Sequence, residues 1–439
     1  MKLLKQPIIG KQTRNPSVPY RLMHYVVTQE VEEGMLLFNT LTCSMALVTH
    51  EEAKDLAAVE ELVENWFLVP VGHDDKKLCK MVRAALMYQR KRPKGLKEYT
   101  IITTTGCNAR CAYCFEQGVQ PVHMTMETAE KVAQFIIGHQ GEQEKVKIEW
   151  FGGEPLYNMK VMDRISTILK EHDIKFSSHI TSNGYLFSDN MIKKAVELWN
   201  VKKVQITLDG TEENYNRIKA YVNAGAGSPF QRVLDNIQKL LETNDIKVSI
   251  RINLENDVLD DIWTLTRQLA ERFKGYKNLT VYYSPLFEHI GPQASVRTPE
   301  QRRLIMNEIR KMRQYLRSIG MGTNVRKKLM GGLLFNQCKV DSGEGIMIAP
   351  DGHLGLCEHY VDSHFFGHID SEEWDEEAIK QMREYWEEIP ECDTCACYPM
   401  CFRLKICNTL GTCYEEVRED NVKSIQEQMM DEYKALLEE

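Results

Sequence analysis

Cysteine carries the chemistry of this chain. Three cysteines stand on one short loop, Gly106-Cys107-Asn-Ala-Arg-Cys111-Ala-Tyr113-Cys114, straight after the largely β-branched run Ile101-Ile-Thr-Thr-Thr105. Three thiolates so spaced can hold one face of a metal cluster and leave a fourth coordination position open. An open position is where exogenous chemistry takes place, whereas a site closed by four protein ligands is structural. Eight more cysteines crowd the C-terminal part: Cys338, Cys357, Cys392, Cys395, Cys397, Cys401, Cys407 and Cys413. Only Cys43 and Cys79 stand apart, and these read as packed thiols. The N-terminus, Met1-Lys-Leu-Leu-Lys-Gln-Pro7, lacks an apolar core followed by a small-residue cleavage site. The expected location is therefore the cytoplasm, where dense thiols point to metal and not to disulfides. Taken alone, the Cys-x2-Cys spacing at 392 and 395 also suits zinc.

The elements that must position these thiols follow from periodicity. From Lys97 onward, apolar strands alternate with amphipathic helices. Strands are expected at 99–104, 146–151, 178–182, 204–208, 248–253 and 279–284, with helices near 125–139, 158–171, 189–199, 229–243 and 258–273. Such alternation implies a parallel sheet, because parallel neighbours need crossover connections. Six units are too few to close an eight-stranded barrel, so an open, partial (β/α)6 barrel is expected. Loops after strand C-termini build the sites of such folds. There the sequence places the cysteine loop, then Gly152-Gly153-Glu154-Pro155, Ser182-Asn-Gly184 and Asp209-Gly210, with Arg251 and Asn253 on the fifth strand. The two glycines would let backbone approach a ligand closely, and Glu154 can accept from an ammonium group.

The Cys-x3-Cys-x2-Cys loop, with an aromatic before its last cysteine, resembles that of the radical S-adenosylmethionine (radical SAM) enzymes. By that resemblance Cys107, Cys111 and Cys114 would bind a [4Fe–4S] cluster whose fourth iron takes the amino and carboxylate groups of S-adenosylmethionine. Tyr113 would lie against the adenine, and Gly152, Gly153 and Glu154 would meet the methionine amino group. Ser182 and Asp209 would contact the ribose, Arg217 would pair with the methionine carboxylate, and Arg251 and Asn253 complete the expected cofactor pocket. Gly352-x4-Cys357 and Cys392-x2-Cys395-x5-Cys401 resemble the SPASM extension, which houses two auxiliary clusters, so three [4Fe–4S] clusters are implied. Two features depart from that pattern: Cys407 follows Cys401 by six positions instead of the usual four, and Cys397 is extra. The expected partition puts Cys392, Cys395, Cys401 and Cys413 around a distal cluster, and Cys338, Cys357, Cys397 and Cys407 around a nearer one.

Residues 1–90 read as a small winged-helix-like α+β domain, with strands at 21–27, 35–39 and 42–48 and helices from 49 to 66 and from 74 to 90. It is similar to the domains that capture a leader peptide by strand addition. Arg90–Gly95 reads as a solvated linker. Residues 97–285 would then be the radical SAM barrel and 286–337 a bridge with one long helix at 298–317. Residues 338–439 would be the SPASM-like region, ending in a solvated helix at 422–437. In overall layout the chain is most similar to streptide-type lysine–tryptophan cyclases. The implied activity is oxidative carbon–carbon cross-linking of Lys and Trp in a ribosomally made precursor peptide, initiated by a 5′-deoxyadenosyl radical. A thioether-forming (sactionine-type) maturase comes next, then a formylglycine-forming sulfatase-maturase-like enzyme, then a non-catalytic iron–sulfur or zinc module. The resemblance also implies an external one-electron donor of the flavodoxin or ferredoxin kind. A net charge of −8 argues against a nucleic-acid partner, and no apolar run approaches the roughly 18–20 residues of a membrane span. No sequence feature singles out a general base among the 63 acidic residues.

Overall fold

The computed structural model describes residues 1–90, 95–288, 295–323, 338–401, 403–407 and 413–438. Its centre is a run of parallel strands in chain order: β1 (Glu98–Thr104), β2 (Val146–Gly152), β3 (Phe176–Ser182), β4 (Val201–Leu208), β5 (Lys247–Leu254) and β6 (Leu279–Pro285). The connections are helical: α1 (Met126–His139), α2 (Met159–Glu171), α3 (Asp189–Glu197), α4 (Glu212–Lys219), α5 (Pro229–Glu242) and α6 (Leu259–Phe273). Starts are fixed locally, since Thr125, Ser188 and Ser228 each accept a backbone N–H from three residues on and so satisfy a donor the helix itself leaves orphaned. The helices bury one apolar face, Val132 and Ile136 from α1 and Val233, Ile237 and Leu240 from α5, against strand residues such as Ile148, Val204 and Ile250. This is the strand–helix alternation expected from the sequence, with α4 as an added element.

The sheet is open, and it is longer than expected. Beyond β1 it continues into Gly345–Ile348, parallel, and then into His353–Gly355 and Gly367–His368, antiparallel; beyond β6 lies the short Gly322–Thr323. The segment carrying Cys338 and Cys357 is thus stitched to the strand that delivers the cysteine loop. A helix α7 (Pro299–Ser318), started by a Thr298–Gln301 capping box, packs Ile305, Ile309, Met312 and Leu316 into the same core. Residues 289–294 and 324–337 of the expected bridge and 91–94 of the expected linker lie outside the described residues.

The N-terminal unit has an antiparallel sheet in the order Lys2–Lys5, Met45–Thr49, Gly34–Asn39, Val26–Val31, and a second pair, Tyr20–Leu22 with Leu68–Pro70. The strand expected at 21–27 is split. Asp75 takes the Arg21 guanidinium and the His24 N–H, and the chain turns there. The helix expected at 49–66 is instead two 3-10 turns, Glu52–Lys54 and Leu56–Ala58, followed by the short helix Glu60–Glu64. Ala53, Leu56, Val59 and Leu62 all face one apolar cluster, and a spacing of three matches a 3-10 helix better than an α-helix. Helix Asp75–Arg90 forms as expected. The final helix, α8 (Glu415–Glu438), is no solvated tail: Ile425, Met429 and Tyr433 pack with Val27, Phe38 and Cys43, and Gln426 donates to the Thr28 carbonyl at 2.9 Å. Among the described residues no helix is long and apolar enough to cross a membrane.

A candidate cofactor site at the strand ends

The cysteine loop is held by what flanks β1 and β2. Gly106 N donates to Thr104 Oγ1 at 2.8 Å and Thr105 N to the Val122 carbonyl at 3.0 Å. From β2, Gly153 N reaches the Thr104 carbonyl and Glu154 N the Gly106 carbonyl, both at 3.0 Å. A Cβ on Gly152, whose φ is +133°, would sit 2.1 Å from the Thr104 oxygen, and one on Gly153 would sit 2.5 Å from the Gly106 oxygen. The close approach that requires these glycines is thus that of the cysteine loop's own backbone. Both glycines also line the cavity described below.

Glu154 is fully buried and turned inward. It accepts from Ser182 Oγ at 2.9 and 3.1 Å, from Asn183 N at 2.8 Å and from Leu156 N at 3.2 Å. Burial pushes its carboxyl up to about 7 against these hydrogen bonds. Glu154 thus makes a positioning contact, and the Ser182 hydroxyl donates to it while Ser182 also lines the cavity. Asn183, not anticipated from sequence, passes this order on to the cysteine loop by donating to Asn108 Oδ1 at 2.7 Å.

A second network centres on buried Asp209, at the end of β4. It receives Tyr113 OH at 2.8 Å and Asn253 Nδ2 at 2.9 Å, and it pairs with Lys219 Nζ at 2.8 Å. Lys219 also donates to Tyr113 OH at 3.0 Å. Burial works against the Lys219 charge, but Asp209 and then Tyr113 outweigh it and hold its pKa above the ordinary lysine value. Arg251 extends the chain, Nε to Asn253 Oδ1 at 2.9 Å and Nη2 to Ser284 Oγ at 3.0 Å. Arg217 does not join: it is exposed and bonds Asn214 Oδ1 at 2.9 Å. On α4 the buried face carries Tyr215 and Lys219, four apart, and Arg217 falls on the other side. The cation expected at 217 is therefore at 219, and the i, i+4 pairing with Tyr215 was the signal that could have found it.

These parts surround a cavity of about 530 Å³. Cys107, Cys111, Cys114, Tyr113, Gly152, Gly153, Asn183, Lys219, Arg251 and Asn253 line it, with Phe115, Glu116, Glu149, Phe287, Glu358 and His359 around the rest. Asp209 stands behind this wall. Burial raises the thiols, Cys107 to about 12 and Cys114 to about 11, so without metal they are protonated. Glu116 is 9% exposed with one carboxylate oxygen lacking a partner, and burial, then Asp362, pushes it up to about 8. The residues present fit the implied group: three soft donors on one wall, close backbone, and polar groups facing a cavity of ligand size. Among the described residues no three His, Cys, Asp or Glu side chains converge as ligands of a single ion do. A four-iron cluster is wider than one ion, so its ligands need not converge.

The C-terminal cysteines fall into two groups, with one correction to the expected partition. Cys395 and Cys397 share a hydrogen bond that lowers the first to about 6 and raises the second. Cys397 in turn feels Cys401 and Cys413, and Cys392 feels Cys413 and Cys395. Cys397 therefore lies with 392, 395, 401 and 413, because the single residue Ala396 cannot carry it away from Cys395. Cys338 and Cys357 interact with one another beside the main core. Tyr360, in the turn that starts at Cys357, bonds the Ile406 carbonyl and brings Cys407 to that side.

Residues 101–269 match the Radical SAM superfamily, and the chain is a radical SAM enzyme. The radical SAM cyclopropyl synthase TigE of Paramaledivibacter caminithermalis is 23% identical over 254 residues, 54% of this chain and 51% of TigE. The chain thus spans about half of TigE's length. In fold it is similar to native anSMEcpe solved with bound AdoMet (TM-score 0.57, 16% identity, 78% of this chain and 98% of that one). It is also similar to Streptococcus suis SuiB solved with precursor peptide SuiA (TM-score 0.51, 12% identity, 87% and 94%).

Proposed function

We propose that this enzyme modifies a ribosomally made precursor peptide by an oxidative carbon–carbon cross-link, with Lys and Trp as the joined residues. The observation that carries the peptide reading is a similarity of fold that runs over most of the chain to a protein solved with its precursor peptide. A cluster on Cys107, Cys111 and Cys114, with S-adenosylmethionine on its open iron, would supply a carbon-centred radical able to take hydrogen from an unactivated carbon. The chain's own residues bind, orient and exclude water. Lys219, fixed by Asp209, offers a buried cation to a carboxylate of the cofactor. Tyr113, Asn253 and Arg251 are locked by hydrogen bonds before any ligand arrives, so little order is lost on binding. Phe115 stacks on His359 and Phe287 meets the same ring edge-on, an aromatic rim that limits water. Cys338, Cys357 and Cys407, and separately the 392–413 set, are read as holders of two auxiliary clusters able to accept the electron released when the cross-link forms. A ring closure like that named for TigE is the second reading, favoured by that relative.

Both readings remove two hydrogens from the peptide. Anaerobic incubation of the reconstituted protein with S-adenosylmethionine, a one-electron reductant and a candidate precursor peptide should lower the peptide's mass by that amount, and fragmentation should place the new bond between two residues. An unchanged mass refutes peptide oxidation; a bond confined to one residue refutes the cross-link and leaves the ring.

A further inference from the structure

The distal cysteines do not stand alone in the C-terminal segment. Helix Asp75–Arg90 of the N-terminal unit lies against their loop, and Arg83 Nη2 donates to the carbonyls of Tyr398 at 2.8 Å, Pro399 at 3.3 Å and Cys401. The guanidinium also lies 5.0 Å from the Tyr398 ring centre. Thr40 Oγ1 holds the Ala396 carbonyl at 2.6 Å. Lys76 and Lys80 pair with Glu388 at 2.6 and 3.0 Å, and Lys76 also with Asp393 at 2.5 Å. Underneath, Tyr25, Leu41 and Cys79 share one apolar cluster with Tyr398, Cys392 and Cys395. From the other side α8 contributes Arg418, whose Nη1 lies 3.6 Å from Cys413 Sγ.

We propose that the N-terminal unit is a working part of the distal site, with Arg83 both holding the 398–401 turn and setting the reduction potential of the group bound there. The inference rests on the reading that the 392–413 cysteines hold an iron–sulfur cluster. Three carbonyl acceptors in a row fix a planar guanidinium in one place, so its charge is a constant feature of the site. A cation held in partly buried surroundings stabilises the more negative, reduced state of a thiolate-ligated cluster and raises its potential. The acids nearby, Glu388 and Asp393, are already met by Lys76 and Lys80. The nearer cysteines differ: Cys338 and Cys357 adjoin the Lys339–Glu358 ion pair, with buried Glu149 beyond. With Arg418 beside Cys413 acting in the same direction, the distal cluster is the more easily reduced of the two, and Arg83 supplies part of that shift from the other end of the chain.

The test uses full-length protein, anaerobically reconstituted, with iron counted and the clusters titrated by electron paramagnetic resonance. Arg83→Met should keep its iron and shift one signal to a more negative midpoint, and Arg83→Lys should return it most of the way. Loss of one cluster's iron in Arg83→Met with an unchanged circular dichroism spectrum, restored in Arg83→Lys, supports the holding role. Full iron with an unmoved midpoint overturns the proposal. If replacing Cys392, Cys395, Cys401 and Cys413 by Ala leaves iron content at the wild-type level, the cluster reading itself is wrong.

Discussion

At the barrel mouth, three thiols come from one short loop and their supports from the ends of adjacent strands, so the whole site is a product of the sheet. The distal cysteines are arranged the other way. Their loop has little regular structure, and its geometry comes from the N-terminal helix on one side and α8 on the other. A site carried on strand ends tolerates change elsewhere in the chain, whereas a site clamped between distant segments responds to either of them. The difference teaches that position along the chain is a poor guide to which residues support a cysteine cluster here.

The largest expected effect at the mouth comes from Lys219→Met. It leaves Asp209 as an uncompensated buried carboxylate, and breaking a buried pair from one side costs about 3–5 kcal/mol. Denaturant unfolding of the unloaded protein checks this; a loss below about 1 kcal/mol would mean that solvent reaches the pair. Arg217→Met, on the exposed face of the same helix, should change stability by less than about 0.5 kcal/mol. Next, Gly153→Ala forces a Cβ against the Gly106 carbonyl and should cost about 1–3 kcal/mol by overpacking, with cofactor cleavage reduced as the loop shifts. Equal activity and stability would remove the glycine from the account.

A pH dependence is expected at His179 on β3, whose Nδ1 lies 3.7 Å from the Glu149 carboxylate on the cavity wall. Burial, and then Lys203, hold His179 down at about 4 against an ordinary value of 6.5. Between those values the unfolded chain binds the proton and the fold does not, so stability is full above pH 6.5 and falls as pH drops toward 4. His179→Gln should flatten that part of the profile by about 1–3 kcal/mol, discounted for partial solvent access. Parallel profiles for the two proteins would contradict the assignment.

Much of the mouth was legible in sequence because strand alternation and loop position are local. The cysteine loop, the Gly152–Gly153 pair and Asn253 all occupy the strand ends that periodicity assigns to them. Lys219 was not read, because a lysine at a helix end looks solvated until its buried partner is known. Glu154 and Ser182 were placed correctly along the chain, but the direction of a side chain at a turn depends on its neighbours, and they face each other. Cys397 was misassigned because counting cysteines into fours ignores that a single residue, Ala396, separates it from Cys395. The role of α8 was hidden for a similar reason: its apolar stripe of Ile425, Met429 and Tyr433 is sparse among charges, and the sheet it covers lies at the opposite end of the chain.

The central claim is that the loop at the barrel mouth is the reductive site. It is tested most directly by supplying reduced, reconstituted protein with S-adenosylmethionine and measuring 5′-deoxyadenosine. The wild type should form it; the variant with Cys107, Cys111 and Cys114 all changed to Ala should form none while keeping about eight of about twelve iron atoms. Formation of 5′-deoxyadenosine by that variant would contradict the account.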